Sequence, residues 1–156
     1  YARRSNELLE LDGEPLFVHH FPRLDELLII GAGHITIPLV ELARPLSFHT
    51  VVVDPRGVFA SPDRFSVPPG ELLNRWPDEA LADRELTEDT YAAVLTHDPK
   101  IDDQALHCLL RAPVAYIGAL GSRKSQAKRR QRLGEAGFTA AQIDRIKGPA
   151  GLDIAA

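Results

Sequence analysis

A short apolar run that ends in glycines is the strongest constraint on the fold. Leu27–Ile30 is continuously apolar, Gly31-Ala32-Gly33 follows it, and apolar residues then recur at helical spacing. A second apolar run, Val51–Val53, ends in Asp54, which follows Gly33 by 21 positions. This order predicts a strand, a tight turn, a helix and a second parallel strand that ends in an acid. Such a βαβ unit is typical of dinucleotide-binding domains.

The glycine turn predicts a phosphate-binding site at the start of the helix. Glycine lets the backbone come close to a phosphate, and the N-terminus of a helix attracts an anion. The residues that we expect around the phosphate are Gly31, Ala32, Gly33 and His34. Thr36 occupies the third glycine position of the usual fingerprint, and we expect its branched side chain to hold the helix slightly farther from the strand. A plain strand-to-helix turn is the alternative interpretation.

Two residues after the second strand are candidates for binding a ribose. We expect Asp54 to accept hydrogen bonds from ribose hydroxyls, and Arg56 to contact a 2′-phosphate or to stack on adenine. This pair does not discriminate between NAD and NADP. The alternative interpretation is an acidic residue at a strand end that pairs with a nearby arginine.

Alternating strands and helices continue along the chain and favour an α/β fold. The predicted strands are Leu27–Ile30, His49–Asp54, Glu71–Trp76, Tyr91–Thr96 and Pro113–Gly118. The predicted helices are Ile35–Ala43, Pro77–Asp83, Asp102–Leu110, a basic helix from Ser122 to Ala136, and a short helix capped by Thr139 and Gln142. This order predicts a Rossmann-like, doubly wound parallel sheet with helices on both faces, in three layers.

Residues 1–26 precede this pattern and are predicted to be a lead-in segment, with a short edge strand at Leu16–Val18. We expect residues 27–156 to form the nucleotide-binding domain of a longer protein. The single cysteine, Cys108, excludes an intrachain disulfide and fits a reducing cytoplasm. No apolar run approaches the roughly 20 residues that cross a bilayer, so we expect no membrane contact.

A polar segment follows the fourth predicted strand, which neighbours the first strand in a Rossmann sheet. Its candidate ligand-binding residues are Thr96, His97, Asp98 and Lys100. Adjacent histidine and aspartate have a poor spacing for a metal, and no second cluster completes a coordination shell, so no metal site is predicted. In the alternative interpretation, Thr96 or Asp98 accepts hydrogen bonds from backbone amides as a loop cap.

Cations cluster at the start of the basic helix. Between Ser122 and Lys147 the chain has eight Lys and Arg residues and two Asp and Glu residues, whereas its net charge is −4. Because cations oppose the helix dipole at this end, we expect the turn formed by Gly121, Ser122 and Arg123 to bind an anionic group. The alternative is a solvated basic face. Nucleic acid is not expected, since few aromatic residues lie among these cations.

Five segments together resemble the C-terminal Rossmann domain of the xanthine dehydrogenase accessory factor family, which also occurs beside carbon monoxide dehydrogenases. They are Leu28–His34, Val52–Arg56, Leu95–Lys100, Tyr116–Arg123 and Gly148–Ile154. The resemblance implies a cytoplasmic maturation factor that binds a nucleotide-type ligand or molybdenum cofactor and assists its insertion into a molybdenum hydroxylase of the xanthine dehydrogenase type. It also implies a homodimer, and the apo-enzyme of the hydroxylase as partner. The anion at Gly121–Arg123 is then the phosphate of molybdopterin.

The cofactor, either NAD(P) or the molybdenum cofactor (molybdopterin), is left undecided, and so is enzymatic turnover. A first alternative function is an NAD(P)-dependent oxidoreductase, in which only His97 or His34 is placed to relay a proton. A second is a protein-docking module without small-molecule chemistry, whose basic helix contacts an acidic partner. No residue is assigned a catalytic role.

Overall fold

An antiparallel hairpin begins the part of the chain that the computed structural model describes, which is residues 6–19 and 24–152. Its strands are β1 (Glu7–Leu11) and β2 (Glu14–Val18), and every residue of both is exposed. Asp12 and Gly13 form the turn with φ angles of 53° and 85°, as an Asp-Gly hairpin turn requires. The predicted edge strand at Leu16–Val18 is therefore half of a separate two-stranded sheet.

Six parallel strands form the main sheet. In chain order they are β3 (Glu26–Ile30), β4 (His49–Val53), β5 (Glu71–Leu73), β6 (Thr90–Val94), β7 (Tyr116–Ala119) and β8 (Ile146–Lys147). Their spatial order is β5-β4-β3-β6-β7-β8. This is the Rossmann order, and it confirms the predicted fold class. The order reverses between β3 and β6, so a crevice is expected where these two strands end.

Helices cover both faces of the main sheet. They are α1 (Thr36–Ala43), α2 (Pro77–Leu81), α3 (Pro99–Arg111), α4 (Arg123–Glu135) and α5 (Ala140–Ile143). Leu28 and Ile30 belong to the core cluster that includes residues of α2, α3, α4 and α5, whereas Ile29 packs with Val40 of α1 on the other face. Each large apolar side chain that is fully buried in this way contributes about 1.5–3 kcal/mol.

Local capping signals place several helix ends where they were predicted. The Ser122 side chain caps α4, Gly137 follows that helix with a φ of 91°, and Thr139 and Gln142 form a capping box on α5. Within residues 6–19 and 24–152, no helix is both long and apolar enough to span a membrane.

Other predicted boundaries were wrong. The third helix does not begin at Asp102: Asp98 caps α3 by accepting a hydrogen bond from the Lys100 amide at 2.9 Å, and Pro99 occupies the first turn. Proline is favourable there because that position needs no donated hydrogen bond, so Asp98-Pro99 starts the helix. β7 begins at Tyr116 rather than Pro113, and β8 was not predicted.

The remaining differences are short ones. β4 ends at Val53 rather than Asp54, β5 at Leu73 rather than Trp76, and α2 at Leu81 rather than Asp83. β6 is Thr90–Val94 rather than Tyr91–Thr96. Of the segment at Gly148–Ile154, Asp153 and Ile154 lie outside the described residues. The Ala150 amide donates to the Ala119 carbonyl at 3.0 Å, so the described part of this segment runs beside the end of β7.

Candidate functional site

A cavity of about 170 Å³ opens where β3 and β6 end, and we call it the glycine-turn pocket. Its lining residues are Gly33, His34, Ile35, Thr36, Arg56, Phe59, Leu95, Thr96 and His97. The start of α1, the loop after β4 and the loop after β6 therefore meet at one place. Open α/β sheets bind their ligands at this point, outside the carboxyl ends of the strands.

The two glycines of the turn have different structural roles. Gly31 has a φ of 105°, and a Cβ added there would lie 2.6 Å from Cγ2 of Thr96. A side chain at this position would be strained and would also collide with the loop after β6. Gly33, by contrast, has no other atom within 4 Å of an added Cβ. Gly31 thus allows close packing, while Gly33 leaves open space at the wall of the pocket.

The first turn of α1 is hydrogen-bonded to the glycine turn, and its N-terminus faces the pocket without a side-chain cap from the described residues. The Thr36 hydroxyl is buried and donates a hydrogen bond to the Gly31 carbonyl at 2.5 Å, so this side chain connects the helix to the turn. Ile35 occupies the N-cap position, and no side chain of the described residues caps this end. The uncapped first turn carries a partial positive charge, which favours an anion in the adjacent pocket.

The Asp54 carboxylate is completely buried below the glycine turn. Its Oδ2 accepts from the Ala32 amide at 2.8 Å and from Nη2 of Arg56 at 2.7 Å. Its Oδ1 accepts from the Arg56 amide and from Nε of Arg56, both at 2.9 Å. Burial by itself raises the pKa of Asp54, but the hydrogen bonds from Arg56 and Ala32 outweigh this effect and lower the pKa below its usual range.

These four hydrogen bonds give Asp54 a structural role. Asp54 positions the Ala32 amide and the Arg56 side chain, as the alternative interpretation of a strand-end ion pair predicts. A ribose hydroxyl could reach the carboxylate only after Arg56 moved aside. The ribose role of Asp54 stays a prediction, while Arg56 already lines the pocket.

The loop after β4 folds back over the glycine turn through two arginines. The Arg56 guanidinium lies 4.4 Å and that of Arg64 5.2 Å from the centre of the Phe59 ring. Nη1 of Arg64 donates to the carbonyls of Ala32 at 2.5 Å and of Phe59 at 2.8 Å. The sequence interpretation missed Arg64 and Phe59, because nothing in a proline-rich loop indicates which of its residues return to the turn.

The segment after β6 divides into pocket residues and helix-capping residues. Thr96 and His97 line the glycine-turn pocket, and His97 has a φ of 65°. A non-glycine residue in this conformation costs about 1–3 kcal/mol, and such residues cluster at functional sites. Asp98 caps α3, and Lys100 lies exposed in its first turn. Neither of these two residues lines the pocket, and the cap is the one that the alternative interpretation predicts.

A second cavity of about 130 Å³, the α4 pocket, also includes His97 in its lining. Its lining residues are His97, Pro99, Asp102, Leu120, Ser125, Lys128, Arg129 and Arg132. His97 lines both cavities, so they are neighbours along the carboxyl edge of the sheet. The sequence interpretation assigned no site role to the residues of α3 and α4 in this set.

The basic helix is not a uniformly solvated face, because Arg129 is buried in it. Its Nη2 contacts Oδ2 of Asp102 at 3.0 Å, and both side chains are at most 5% exposed. Nη1 of Arg129 donates to Gln126 at 2.5 Å, and Nη2 also donates to the Leu120 carbonyl at 3.2 Å. Asp102 in turn accepts a hydrogen bond from Thr96 at 2.5 Å. One buried network therefore joins the loops after β6 and β7.

The turn predicted to bind an anion lies beside the α4 pocket. Gly121 has a φ of 132°, the Ser122 hydroxyl accepts from the Ser125 amide at 3.2 Å, and Arg123 is exposed. None of these three residues lines either pocket. Anion binding at Gly121–Arg123 stays a prediction.

Comparison with known proteins identifies the family of this chain. A profile described as the XdhC Rossmann domain matches residues 27–156. The chain belongs to the XdhC Rossmann domain family. This match confirms the resemblance that the five sequence segments indicated, and it includes every residue of both pockets.

Two curated relatives are similar to this chain over most of its length. The chain is 28% identical over 118 residues to a probable xanthine dehydrogenase subunit of Bacillus subtilis, and the match covers 76% of this chain and 34% of the relative. It is 29% identical over 132 residues to an uncharacterized protein, YqeB, of Escherichia coli, and that match covers 83% of this chain and 24% of the relative.

A solved structure shows the same domain in a larger protein. A xanthine dehydrogenase from Bacillus halodurans superposes with a TM-score of 0.73 at 31% sequence identity, over 90% of this chain and 41% of that one. The matches thus span 24% to 41% of the length of these relatives.

Proposed function

We propose that this domain binds the phosphate-bearing part of a nucleotide-type ligand in the glycine-turn pocket. We further propose that it does so as part of an accessory protein that helps to mature a molybdenum hydroxylase of the xanthine dehydrogenase type. The observation that carries the first proposal is the open space at Gly33 beside the uncapped start of α1. A phosphate there would accept hydrogen bonds from first-turn amides and meet the favourable end of the helix dipole.

The charges and shape around the pocket support an anionic ligand. Arg56 brings a guanidinium to the lining of the pocket, and its side chain is 36% exposed. The Asp54 carboxylate is buried and accepts four hydrogen bonds, three of them from Arg56, so the ion pair as a whole is close to neutral and does not repel a phosphate as a free carboxylate would. NAD(P) and molybdopterin both carry phosphate, and both fit this description.

The accessory role is supported by family membership and by the relatives' names. The profile match, the Bacillus subtilis relative and the Bacillus halodurans structure all refer to the xanthine dehydrogenase system. The chain spans less than half of each relative, so insertion of a cofactor, a hydroxylase partner, a homodimer and a cytoplasmic location are proposed for the longer protein.

A substitution at Gly33 tests the phosphate site directly. We expect Gly33→Val to weaken ADP binding at least about tenfold by isothermal titration calorimetry, because the new side chain fills the wall of the pocket. The fold should survive, since no atom lies within 4 Å of the added Cβ. Gly134→Val is the matched control, because Gly134 on α4 also has free space around it.

The result decides between a ligand site and a plain turn. Equal ADP affinity in wild type, Gly33→Val and Gly134→Val would overturn the phosphate site. The accessory role is tested in cells, where the activity of a xanthine-dehydrogenase-type hydroxylase is measured with each variant of the accessory protein. We expect Gly134→Val to support hydroxylase activity and Gly33→Val not to support it.

A further inference from the structure

We propose that the α4 pocket is a second anion subsite, which binds a phosphate-type oxyanion next to the glycine-turn pocket. This inference rests on the proposed function in one respect: the oxyanion belongs to the ligand whose other end occupies the glycine-turn pocket. His97 lines both cavities, which makes them neighbours, and the ligand of this proposal is an elongated one with two anionic groups.

The charges that line the α4 pocket favour an anion. Three cations, Lys128, Arg129 and Arg132, face one lining carboxylate, Asp102. Asp102 pairs with Arg129 at 3.0 Å, and Arg132 pairs with Asp103 at 2.6 Å. Lys128 has no ion-pair partner among residues 6–19 and 24–152, so its ammonium group is available to a ligand.

A buried donor without a partner is the second, independent observation. Arg129 is 4% exposed, and its Nε is buried with no hydrogen-bond partner in the described part of the chain. The other two nitrogens of the same guanidinium are bonded to Gln126, Asp102 and Leu120. A buried N–H of a charged group that lacks an acceptor is costly. Because Arg129 lines the α4 pocket, we take an oxyanion bound there as the acceptor of this N–H.

The position of these groups differs from the anion site that the sequence predicted. Ser125, Lys128, Arg129 and Arg132 are spaced at intervals of three, one and three, so they lie on one face of α4. That face begins beyond the Gly121–Arg123 turn. A cavity of about 130 Å³ suits a small group such as phosphate, because sites for whole drug-sized molecules start near 300 Å³.

Inorganic phosphate tests this subsite separately from the first. The Gly33→Val variant serves as background, because the new side chain takes up space in the glycine-turn pocket, whereas residue 33 does not line the α4 pocket. We expect added phosphate to shift the Arg129 Nε–H signal in a ¹H–¹⁵N spectrum. Lys128→Gln in this background should weaken phosphate binding about threefold to tenfold, whereas Lys124→Gln, on the same helix but outside the pocket, should leave it unchanged.

The outcomes separate the two proposals. An unshifted Arg129 signal, or equal weakening by Lys128→Gln and Lys124→Gln, would overturn the subsite and indicate a general effect of the basic helix. Loss of ADP binding in Gly33→Val together with an unshifted Arg129 signal would leave the proposed function intact and remove only this inference. An Arg129 shift with unchanged ADP affinity in Gly33→Val would keep the anion subsite, but it would overturn the proposed function and the claim that one ligand occupies both pockets.

Discussion

Arg129 is the residue that connects the two loops of the candidate site. Its guanidinium binds Asp102 of α3 and the Leu120 carbonyl after β7, and Asp102 accepts a hydrogen bond from Thr96 after β6. Thr96 also lines the glycine-turn pocket. The geometry of that pocket therefore depends on a side chain that does not line it.

Replacement of Arg129 tests how much this network contributes to the free energy of unfolding. We expect Arg129→Ala to lower the free energy of unfolding by about 3–5 kcal/mol, because it leaves the Asp102 carboxylate buried without a counter-ion. Arg130→Ala is the control: Arg130 pairs with Asp144 at 2.8 Å, but both side chains are at least half exposed, and we expect a cost below about 1 kcal/mol. Urea unfolding followed by circular dichroism measures both. Equal costs would show that the buried pair is not a structural requirement.

The sequence did not reveal this network, for a reason visible in α4. The inward face of α4 consists of Gln126, Arg129 and Leu133, and only Leu133 is apolar. Hydrophobic periodicity therefore carries no signal for which of the many cations is buried. The pairing of Asp102 with Arg129 depends on how α3 packs against α4. The spacing of residues within either helix does not predict a tertiary contact of this kind.

At the scale of elements, the hairpin formed by β1 and β2 stands apart from the main sheet. All ten strand residues are exposed, including Leu8, Leu11 and Phe17, which are 59% to 73% exposed. A two-stranded hairpin without a covered face has marginal stability of its own. The stability of the main sheet therefore should not depend on it.

Removal of the hairpin checks this independence. We expect a chain that begins at Leu24 to differ from the chain of residues 1–156 by less than about 1 kcal/mol in free energy of unfolding. A core substitution serves as the destabilised reference. Ile117 in β7 is 1% exposed, and we expect Ile117→Ala to lower the free energy of unfolding by about 2–5 kcal/mol. Thermal unfolding of the three proteins provides the comparison. A chain without the hairpin that melts as early as Ile117→Ala would contradict the separation of the two sheets.

Elements with local signals were predictable, and those that depend on partners were not. The βαβ order around Gly31, the cap at Ser122 and the capping box at Thr139 are all encoded within a few residues. β8 has only two residues and exists because Ile146 pairs beside β7. The candidate site follows the same rule: the glycine turn was predictable, whereas the buried partner of Asp54 was one of two interpretations that the sequence left open.

For the whole molecule, the two edges of the main sheet carry different groups. The glycine-turn pocket and the α4 pocket lie at the carboxyl edge, while the amino edge carries a cluster of ion pairs beside a further cavity of about 280 Å³, which His49 and Gly70 line. There, Arg84 contacts Glu26 of β3 at 2.8 Å and Glu71 of β5 at 2.7 Å, and His49 of β4 contacts Glu71 at 3.0 Å. The cluster connects three neighbouring strands far from the glycine-turn pocket and the α4 pocket. We therefore expect it to contribute to stability and not to ligand affinity.

The ionisation of Glu71 allows a pH-dependent test of whether the amino-edge cluster contributes to stability. The hydrogen bond from Arg84, and then that from His49, lower the pKa of Glu71 to about 2 from its ordinary value of 4.5. Because the folded state favours the ionised form, the stabilisation is complete above pH 4.5 and is lost as the pH falls toward 2. We expect Glu71→Gln to lower the melting temperature at pH 6 and to flatten its fall between pH 4.5 and pH 2.

Two comparisons make the test specific to this cluster. Glu88→Gln removes the same charge from an exposed loop position, and its melting temperature should follow that of the wild type across the whole pH range. ADP affinity at pH 7 should be equal in wild type, Glu71→Gln and Glu88→Gln, because the glycine-turn pocket and the α4 pocket lie at the opposite edge. Loss of ADP affinity in Glu71→Gln, with an unchanged melting temperature, would contradict this expectation. It would show that the amino-edge cluster affects ligand binding and not only stability.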